Sequence, residues 1–220
     1  MTPGFRILDK VLNDRECVVL IDVFSSRDAN KSKAGARHLL SIPQIKALAN
    51  DPRLLRIASD ELKAQAVAFR ATLFAKTASA NWLTVWHQDT ALPLKNGFDL
   101  EGWGPWSRKL GVLYAHAPFW ALKRVVALRI HLDDSDEHNG PLRVLPESHE
   151  LGVLSDDEVV KVARERDAFE CHVSRGGVLV MSPLIVHSSS KMKNGSQRRV
   201  IHIEYADSIV LTEEIELAVC

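Results

Sequence analysis

The sequence predicts a mainly β fold with flanking helices, arranged as a double-sheet jelly roll. Three observations carry that reading. The first sixty-odd residues have helical spacing, the remainder breaks into short alternating runs between turn residues, and one such run closes on a histidine and a carboxylate two residues apart. A single domain over 1–220 follows, with a mainly helical part over 1–65, a jelly-roll core over 66–206 and a tail over 207–220.

Taken in order, Asn13 with Glu16 three residues on predicts a capped helix to about Phe24, with Cys17, Leu20, Ile21 and Phe24 as its apolar stripe. Arg27 to Ala36 reads as a polar loop. Ser41 before Pro43 and Asp51 before Pro52 predict two further helix starts, each with a capping side chain. Val67 to Lys76 is a strand with an apolar face (Val67, Phe69, Ala71, Leu73, Ala75) and a mixed one. Thr90 to Gly111 is irregular, with Pro93, Gly97, Gly102, Gly104 and Pro105 among Trp103 and Trp106; it reads as a lid over a pocket or as a packed surface loop. Val125 to Leu132 is a strand, Asn139-Gly140 a turn, and Ser155 with Glu158 a capping box opening a helix to about Arg166. Three strands close the chain: Glu170–Val173, Val178–His187, with Pro183 marking an edge or bulge, and Arg199–Tyr205.

Composition excludes several classes. With 220 residues, 46% hydrophobic and 25% charged, the chain can bury a sizeable core. Lysine plus arginine equals aspartate plus glutamate at 28 each, which argues against a nucleic-acid partner gripped through its phosphates. No apolar run spans a membrane and no secretory signal is present, and three scattered cysteines make a disulfide framework improbable, so the expected compartment is the cytoplasm.

Asn81 to Asp89, read as a strand, puts Leu83, Val85, His87 and Asp89 on one face, at the mouth of an apolar wall. Two-thirds of a 2-His-1-carboxylate triad is then in place, the donor set that holds non-haem Fe(II) and leaves three positions open. A rival triplet, His131-Leu-Asp133, runs into Asp134, Ser135, Asp136 and Glu137, the pattern of a solvated turn, so pattern favours His87 and Asp89. Downstream, His187 shares a strand face with Ile185 and Ser189. Arg198 and Arg199 point opposite ways, and parity does not choose: a polar-lined interior selects Arg198, an apolar one Arg199. Arg129 and His131 share a face and read either as contacts for a carboxylate of co-substrate or substrate, or as paired structural groups. Lys76, in phase with Thr72 and Phe74, has a similar case. His116, Trp103 and Trp106 are candidates to line a substrate pocket, whereas His38, His138, His149, His172 and His202 read as structural.

Trp86-His-Gln-Asp89, Asn139-Gly-Pro-Leu-Arg-Val-Leu-Pro-Glu-Ser-His149, and His187-Ser-Ser followed by Arg198 together resemble the signature of the phytanoyl-CoA dioxygenase family, over roughly Ala71 to Tyr205. The resemblance implies an Fe(II)- and 2-oxoglutarate-dependent oxygenase on a double-stranded β-helix, the cupin-like jelly roll. By motif, His87, Asp89 and His187 match the iron ligands, Arg198 the arginine on the far carboxylate of 2-oxoglutarate, and Ser189 the hydroxyl beside it. The chain departs from the family in its shortness, its N-terminal half and in Glu147, where glycine is common.

What the resemblance implies is O2-dependent hydroxylation of an unactivated C–H of a small organic substrate, with release of succinate and CO2. Family-like halogenases replace the carboxylate with a small residue, so Asp89 points to hydroxylation. Two other readings use the same residues: a jelly roll that binds metal or a small acid without turnover, and a cupin-type metal-dependent isomerase or lyase. Neither the substrate, a CoA thioester or otherwise, nor the oligomeric state is encoded in these motifs.

Overall fold

The computed structural model describes residues 3–25, 35–193 and 196–220. The N-terminal part comprises β1 (Phe5–Leu8), α1 (Asp14–Ser25), β2 (Ala36–Arg37), α2 (Pro43–Ala49) and α3 (Pro52–Leu62). Then come β3 (Val67–Lys76), β4 (Thr84–His87), β5 (Ala91–Leu94), β6 (Trp106–Lys109), β7 (Val112–His116), α4 (Phe119–Leu122) and β8 (Val125–His131). The chain closes with β9 (Leu142–Val144), α5 (Asp156–Glu165), β10 (Phe169–Cys171), β11 (Val178–Met181), β12 (His187–Ser189) and β13 (Arg198–Ala206).

Among the described residues these strands form three antiparallel sheets. The large one has the order β1-β11-β8-β13-β3-β2, the second β10-β9-β12-β4, and the small third β5-β7-β6. The outer face of the large sheet is apolar: Leu128, Ile130, Val178, Val180, Ile201, Ile203 and Tyr205 pack against Leu20, Phe24, Ile45, Leu54 and Ala58 of α1 to α3. Its inner face carries Ala127, Leu179 and Met181, which meet Leu142, Val144 and Ile185 from the second sheet's side. Two facing sheets with helices on the outside make the jelly roll that the sequence predicts. Elsewhere the inner face is polar, with Thr72, Lys76, Arg129, His131, Arg198, His202 and Glu204 all buried.

Local chemistry sets most boundaries. Asn13 and Glu16 cap α1 reciprocally, the Glu16 carboxylate accepting from the Asn13 backbone N–H (2.7 Å) and the Asn13 side-chain Oδ1 from the Glu16 N–H (3.0 Å). Ser155 and Glu158 make the same box at α5, and Asp51 accepts from the Arg53 N–H at α3. Ser41 does not cap α2: it lies in a one-turn 3-10 helix, its hydroxyl bonds the His38 carbonyl, and Ile42 takes the cap position without a side-chain bond. At Glu147 the backbone is left-handed (φ 65°), which accounts for the glycine common there in the family.

Three expectations are corrected. Thr90 to Gly111 is irregular only in part, since β5 and β6 within it pair with β7 and leave 95–105 without strand or helix. Val178 to His187 is not one strand. The chain leaves the large sheet at Met181, turns through Pro183, where no ladder N–H is available, and enters the second sheet at His187. The N-terminal part also supplies two edge strands, β1 and β2, to the large sheet. The Arg27–Ala36 loop falls mostly outside the described residues. The tail is docked rather than loose: Cys220 exchanges backbone bonds with Phe69 and Ala71, and Ile215 and Leu217 are buried. All three cysteines are free and buried. Among the described residues no helix is long and apolar enough to cross a membrane.

A buried ion pair joins β3 to β13: both arms of Arg70 reach Glu204, whose side chain is fully enclosed, and Arg70 Nη1 also donates to the Ala91 carbonyl (2.9 Å). Removing the carboxylate leaves a buried guanidinium uncompensated. Glu204→Gln is therefore expected to lower unfolding stability by roughly 3–5 kcal/mol in chemical denaturation; a loss below about 1 kcal/mol contradicts this account of the pair.

Candidate metal centre

The site begins with a strand pairing. β12 aligns with β4 at His187↔His87 and again at Ser189↔Thr84, so a two-residue step on β12 faces a three-residue step on β4. That bulge breaks the alternation expected for Asn81–Asp89. Leu83 and Val85 are 56% and 69% exposed instead of forming an apolar wall, while Trp82 and Thr84 turn inward with His87. The extra residue reverses side-chain parity on one side of the bulge, a displacement that sequence alternation does not register.

His87, Asp89 and His187 converge nonetheless, with ligating atoms within 4.8 Å of one another. Asp89 Oδ1 lies 3.8 Å from His87 Nε2 and Oδ2 lies 3.6 Å from His187 Nε2. Each histidine places Nδ1 2.8 Å from the carbonyl two residues earlier, Val85 and Ile185 respectively. A carbonyl only accepts, so both Nδ1 atoms carry the proton and both Nε2 lone pairs face Asp89, the tautomer that ligates a metal. Burial, with the neighbouring His87, pushes His187 down to about 4, so it is neutral at physiological pH. Burial acts to raise the Asp89 carboxyl, but His187, His87, His202 and Arg70 outweigh it and hold it well below the usual carboxylate range. Two imidazoles that present Nε2 and one ionised carboxylate suit a divalent cation. The His87 and Asp89 side chains are 35% and 31% exposed against 3% for His187, so the cluster is open on one side.

Below the cluster is a cavity lined by Phe74, Trp82, Thr84, Arg129, Leu142, Ser189 and Arg198 together with the triad. β13 presents Arg198 and His202 inward and Ile201, Ile203 and Tyr205 to the helices, so the interior is polar and Arg198 is the one that faces it. Arg199 turns out and is held by Asp133 through Nε (2.7 Å) and Nη2 (2.6 Å). Asp133 is thus tied down rather than a solvated turn residue. His131 is fully buried beside Arg129 and Arg198, with neither ring nitrogen hydrogen-bonded.

The cavity holds an excess of buried positive charge. Arg198 Nε and Nη1 and Arg129 Nε have no hydrogen-bond partner. Lys76, opposite Arg198 in the β3–β13 ladder, donates to Ser189 Oγ (3.0 Å) and to the Ser190 carbonyl, and lies over the Trp82 ring. Burial, with Arg198 and Arg129 nearby, pushes Lys76 down to about 7. None of the three cations has a carboxylate partner among the described residues. Such a cavity fits a small dianion, and the residues present fit both Fe(II) and 2-oxoglutarate.

The remaining candidates lie apart from that cavity. His116 is exposed and bonds Thr90 Oγ1 through Nδ1 (2.6 Å). Trp103 and Trp106 each pack on Phe98 with ring centroids 5.1 Å apart, and Trp103 continues to Trp120. Sequence reasoning missed Phe74, Trp82, Thr84 and Leu142 as lining residues, and His202, whose Nδ1 lies 3.3 Å from Arg129 Nη1, was read as structural. Phe74 and His202 were legible, since each shares parity with an identified residue (Lys76 and Arg198).

The model of the phytanoyl-CoA dioxygenase family matches residues 9–200. The chain belongs to that family. It is a 2-oxoglutarate-dependent, non-haem iron oxygenase whose cofactors are Fe(II) and 2-oxoglutarate, with O2 as oxidant. A comparison with curated proteins finds no match. Among solved structures, AviO1 from Streptomyces viridochromogenes Tue57 is similar with a TM-score of 0.69 at 24% identity, covering 96% of this chain and 93% of that one. EctD from S. alaskensis, solved with 2-oxoglutarate and 5-hydroxyectoine, is similar with a TM-score of 0.71 at 16% identity, covering 93% and 72%. HygX from Streptomyces hygroscopicus, solved with nickel and 2-oxoglutarate, gives 0.66 at 18%, covering 93% and 82%. At these identities the likeness is one of fold.

The two His-x-Asp triplets predict opposite outcomes in a metal titration. Asp89→Ala should abolish Fe(II) binding measured by anaerobic calorimetry, and His131→Ala should retain it within a few-fold of the parent. The reverse pattern places the metal on the wrong triplet.

Proposed function

We propose that this oxygenase hydroxylates an unactivated C–H of a small organic substrate, with His87, Asp89 and His187 as iron ligands and Arg198 and Ser189 as the anchor for the far carboxylate of 2-oxoglutarate. The observation that carries the reading is the buried Arg198 guanidinium, its Nε and Nη1 without a hydrogen-bond partner, in the same cavity as the open triad. Bound iron, 2-oxoglutarate and O2 supply the oxidising power, one oxygen atom going to substrate and the other to succinate as CO2 leaves.

The protein's own contribution is placement. The Val85 and Ile185 carbonyls fix both imidazoles with Nε2 forward. Asp89 stays ionised at neutral pH and would supply the third protein ligand to the iron, which favours oxygen insertion over halogenation. Arg198 offers a planar fork to a carboxylate, while Lys76 and Thr84 hold the Ser189 hydroxyl from either side. Arg129, stacked on Phe74 (5.1 Å) and close to His202, supplies a second guanidinium to a carboxylate nearer the triad. Phe74, Trp82 and Leu142 line the cavity with apolar surface, which strengthens these contacts by excluding water.

The binding-only and isomerase readings predict no succinate. Incubation with 2-oxoglutarate, O2 and a library of small organic substrates should give succinate in step with a product heavier by one oxygen; 2-oxoglutarate consumption with no oxygen in the product excludes hydroxylation. Arg198→Ala should weaken 2-oxoglutarate binding by roughly a hundredfold while sparing Fe(II) affinity. Arg199→Ala, which breaks only the outward pair with Asp133, should leave the 2-oxoglutarate KM near the parent value. If Arg199→Ala raises it instead, the anchor is misassigned.

A further inference from the structure

A second group of cations, distinct from Lys76, Arg129 and Arg198, gathers around Tyr114. The buried Tyr114 ring of β7 has Lys109 Nζ 4.8 Å from its centroid and Arg70 Cζ 5.6 Å from it, and its hydroxyl lies 3.0 Å from His38 Nε2. Arg37 adjoins His38 and aligns with Thr72 of β3, two residues from Arg70. The position borders the metal cluster: Arg70 bonds the carbonyl of Ala91, and His116, opposite Ala91 on β7, bonds Thr90 immediately after Asp89.

Two cations therefore meet at one aromatic ring with Arg37 on the neighbouring strand, and of the three only Arg70 has an acid among the described residues, Glu204. Lys109 and Arg37 have no carboxylate partner among the described residues. Strand alternation separates Lys109 from Arg108, which turns the other way to the Gly111 carbonyl. Lys109 is half-buried on its strand, so part of its hydration is already lost, and Arg37 remains exposed at the rim. Like charges held together without an acid are unfavourable unless an anion joins them. In keeping with that, burial and the charges of Arg37 and Arg70 push Lys109 down, opposed by Asp89.

We propose that Lys109, on the Tyr114 ring, and Arg37, next to the His38 that bonds the Tyr114 hydroxyl, form a subsite for an anionic group of the substrate, a carboxylate or a phosphate. The inference rests on the reading of His87, Asp89 and His187 as the metal centre, because that reading makes this rim the substrate side and the Arg198 end the co-substrate side. A substrate seated here presents a C–H to the metal from an anionic handle a few ångströms away, so neutral substrates lose the orienting contact.

The test uses the full chain loaded with Mn(II) and 2-oxoglutarate under anaerobic conditions, with inorganic phosphate and acetate as probes. Phosphate should show saturable broadening of its phosphorus resonance by the metal, and Lys109→Gln and Arg37→Gln should each weaken its binding roughly tenfold. Lys161→Ala, on the exposed face of α5, should leave binding unchanged. The tighter of the two probes identifies the handle as phosphate or carboxylate. Equal affinity in the parent and both glutamine variants overturns the subsite. Metal and 2-oxoglutarate loading are followed separately by water-proton relaxation and calorimetry. If loading fails, the metal-centre reading fails, and calorimetry with phosphate alone still decides the subsite.

Discussion

The pairing of β4 with β12 is the constraint on which the site depends. It sets His87 directly opposite His187, and its bulge carries the chain forward so that Asp89 arrives between the two imidazoles. The bulge also turns Thr84 inward, where its hydroxyl meets Ser189 at 3.3 Å. β12 is short because the chain has just crossed from the large sheet at Pro183, and the Pro183 carbonyl receives the Asp89 N–H at 2.9 Å. One crossing between sheets therefore positions the distal histidine and braces the carboxylate. A register slip by one residue would reverse the faces of His187 and Ser189 together.

Charge is distributed around that pairing in a consistent way. Acids on the outside neutralise cations locally, as Asp133 does for Arg199 and Asp207 for Arg124. Inside the barrel the balance is reversed, with Lys76, Arg129 and Arg198 buried and no carboxylate of the described chain paired with them. Formal neutrality of the sequence as a whole hides this segregation. Buried cations are costly unless something completes them, so the interior is built for an anionic guest, and the affinity for that guest recovers part of the cost of enclosing the charges. The Arg70–Glu204 pair is the exception that supports the rule: it is internally satisfied and acts as a brace between β3, β13 and the Ala91 backbone rather than as a binding group.

Much of this was legible in the sequence. The helix caps at Asn13, Asp51 and Ser155, the strand Val67–Lys76, the choice of Arg198 and the ordered His87, Asp89 and His187 all follow from spacing, alternation and the family resemblance. What escaped was set by tertiary pairing. The bulge in β4 reversed parity for Leu83, Val85 and Thr84 without any glycine to announce it. Pro93 and Pro105 concealed two strands of a three-stranded sheet inside an apparently irregular segment, because prolines at such positions are tolerated where their missing N–H is not needed. Ser41 looked like a cap, but a 3-10 turn claimed it first. β1 was invisible as a strand because four residues at a sheet edge carry little periodic signal.

The most direct measurement is an anaerobic titration of the metal-free protein with Fe(II) and then 2-oxoglutarate, followed by visible absorption. Chelation of ferrous iron by the co-substrate on the triad predicts a weak charge-transfer band that develops only when both are present and is absent in Asp89→Ala. Iron and 2-oxoglutarate both bound to the folded protein without that band would contradict the central claim, because the co-substrate would then be held away from the metal.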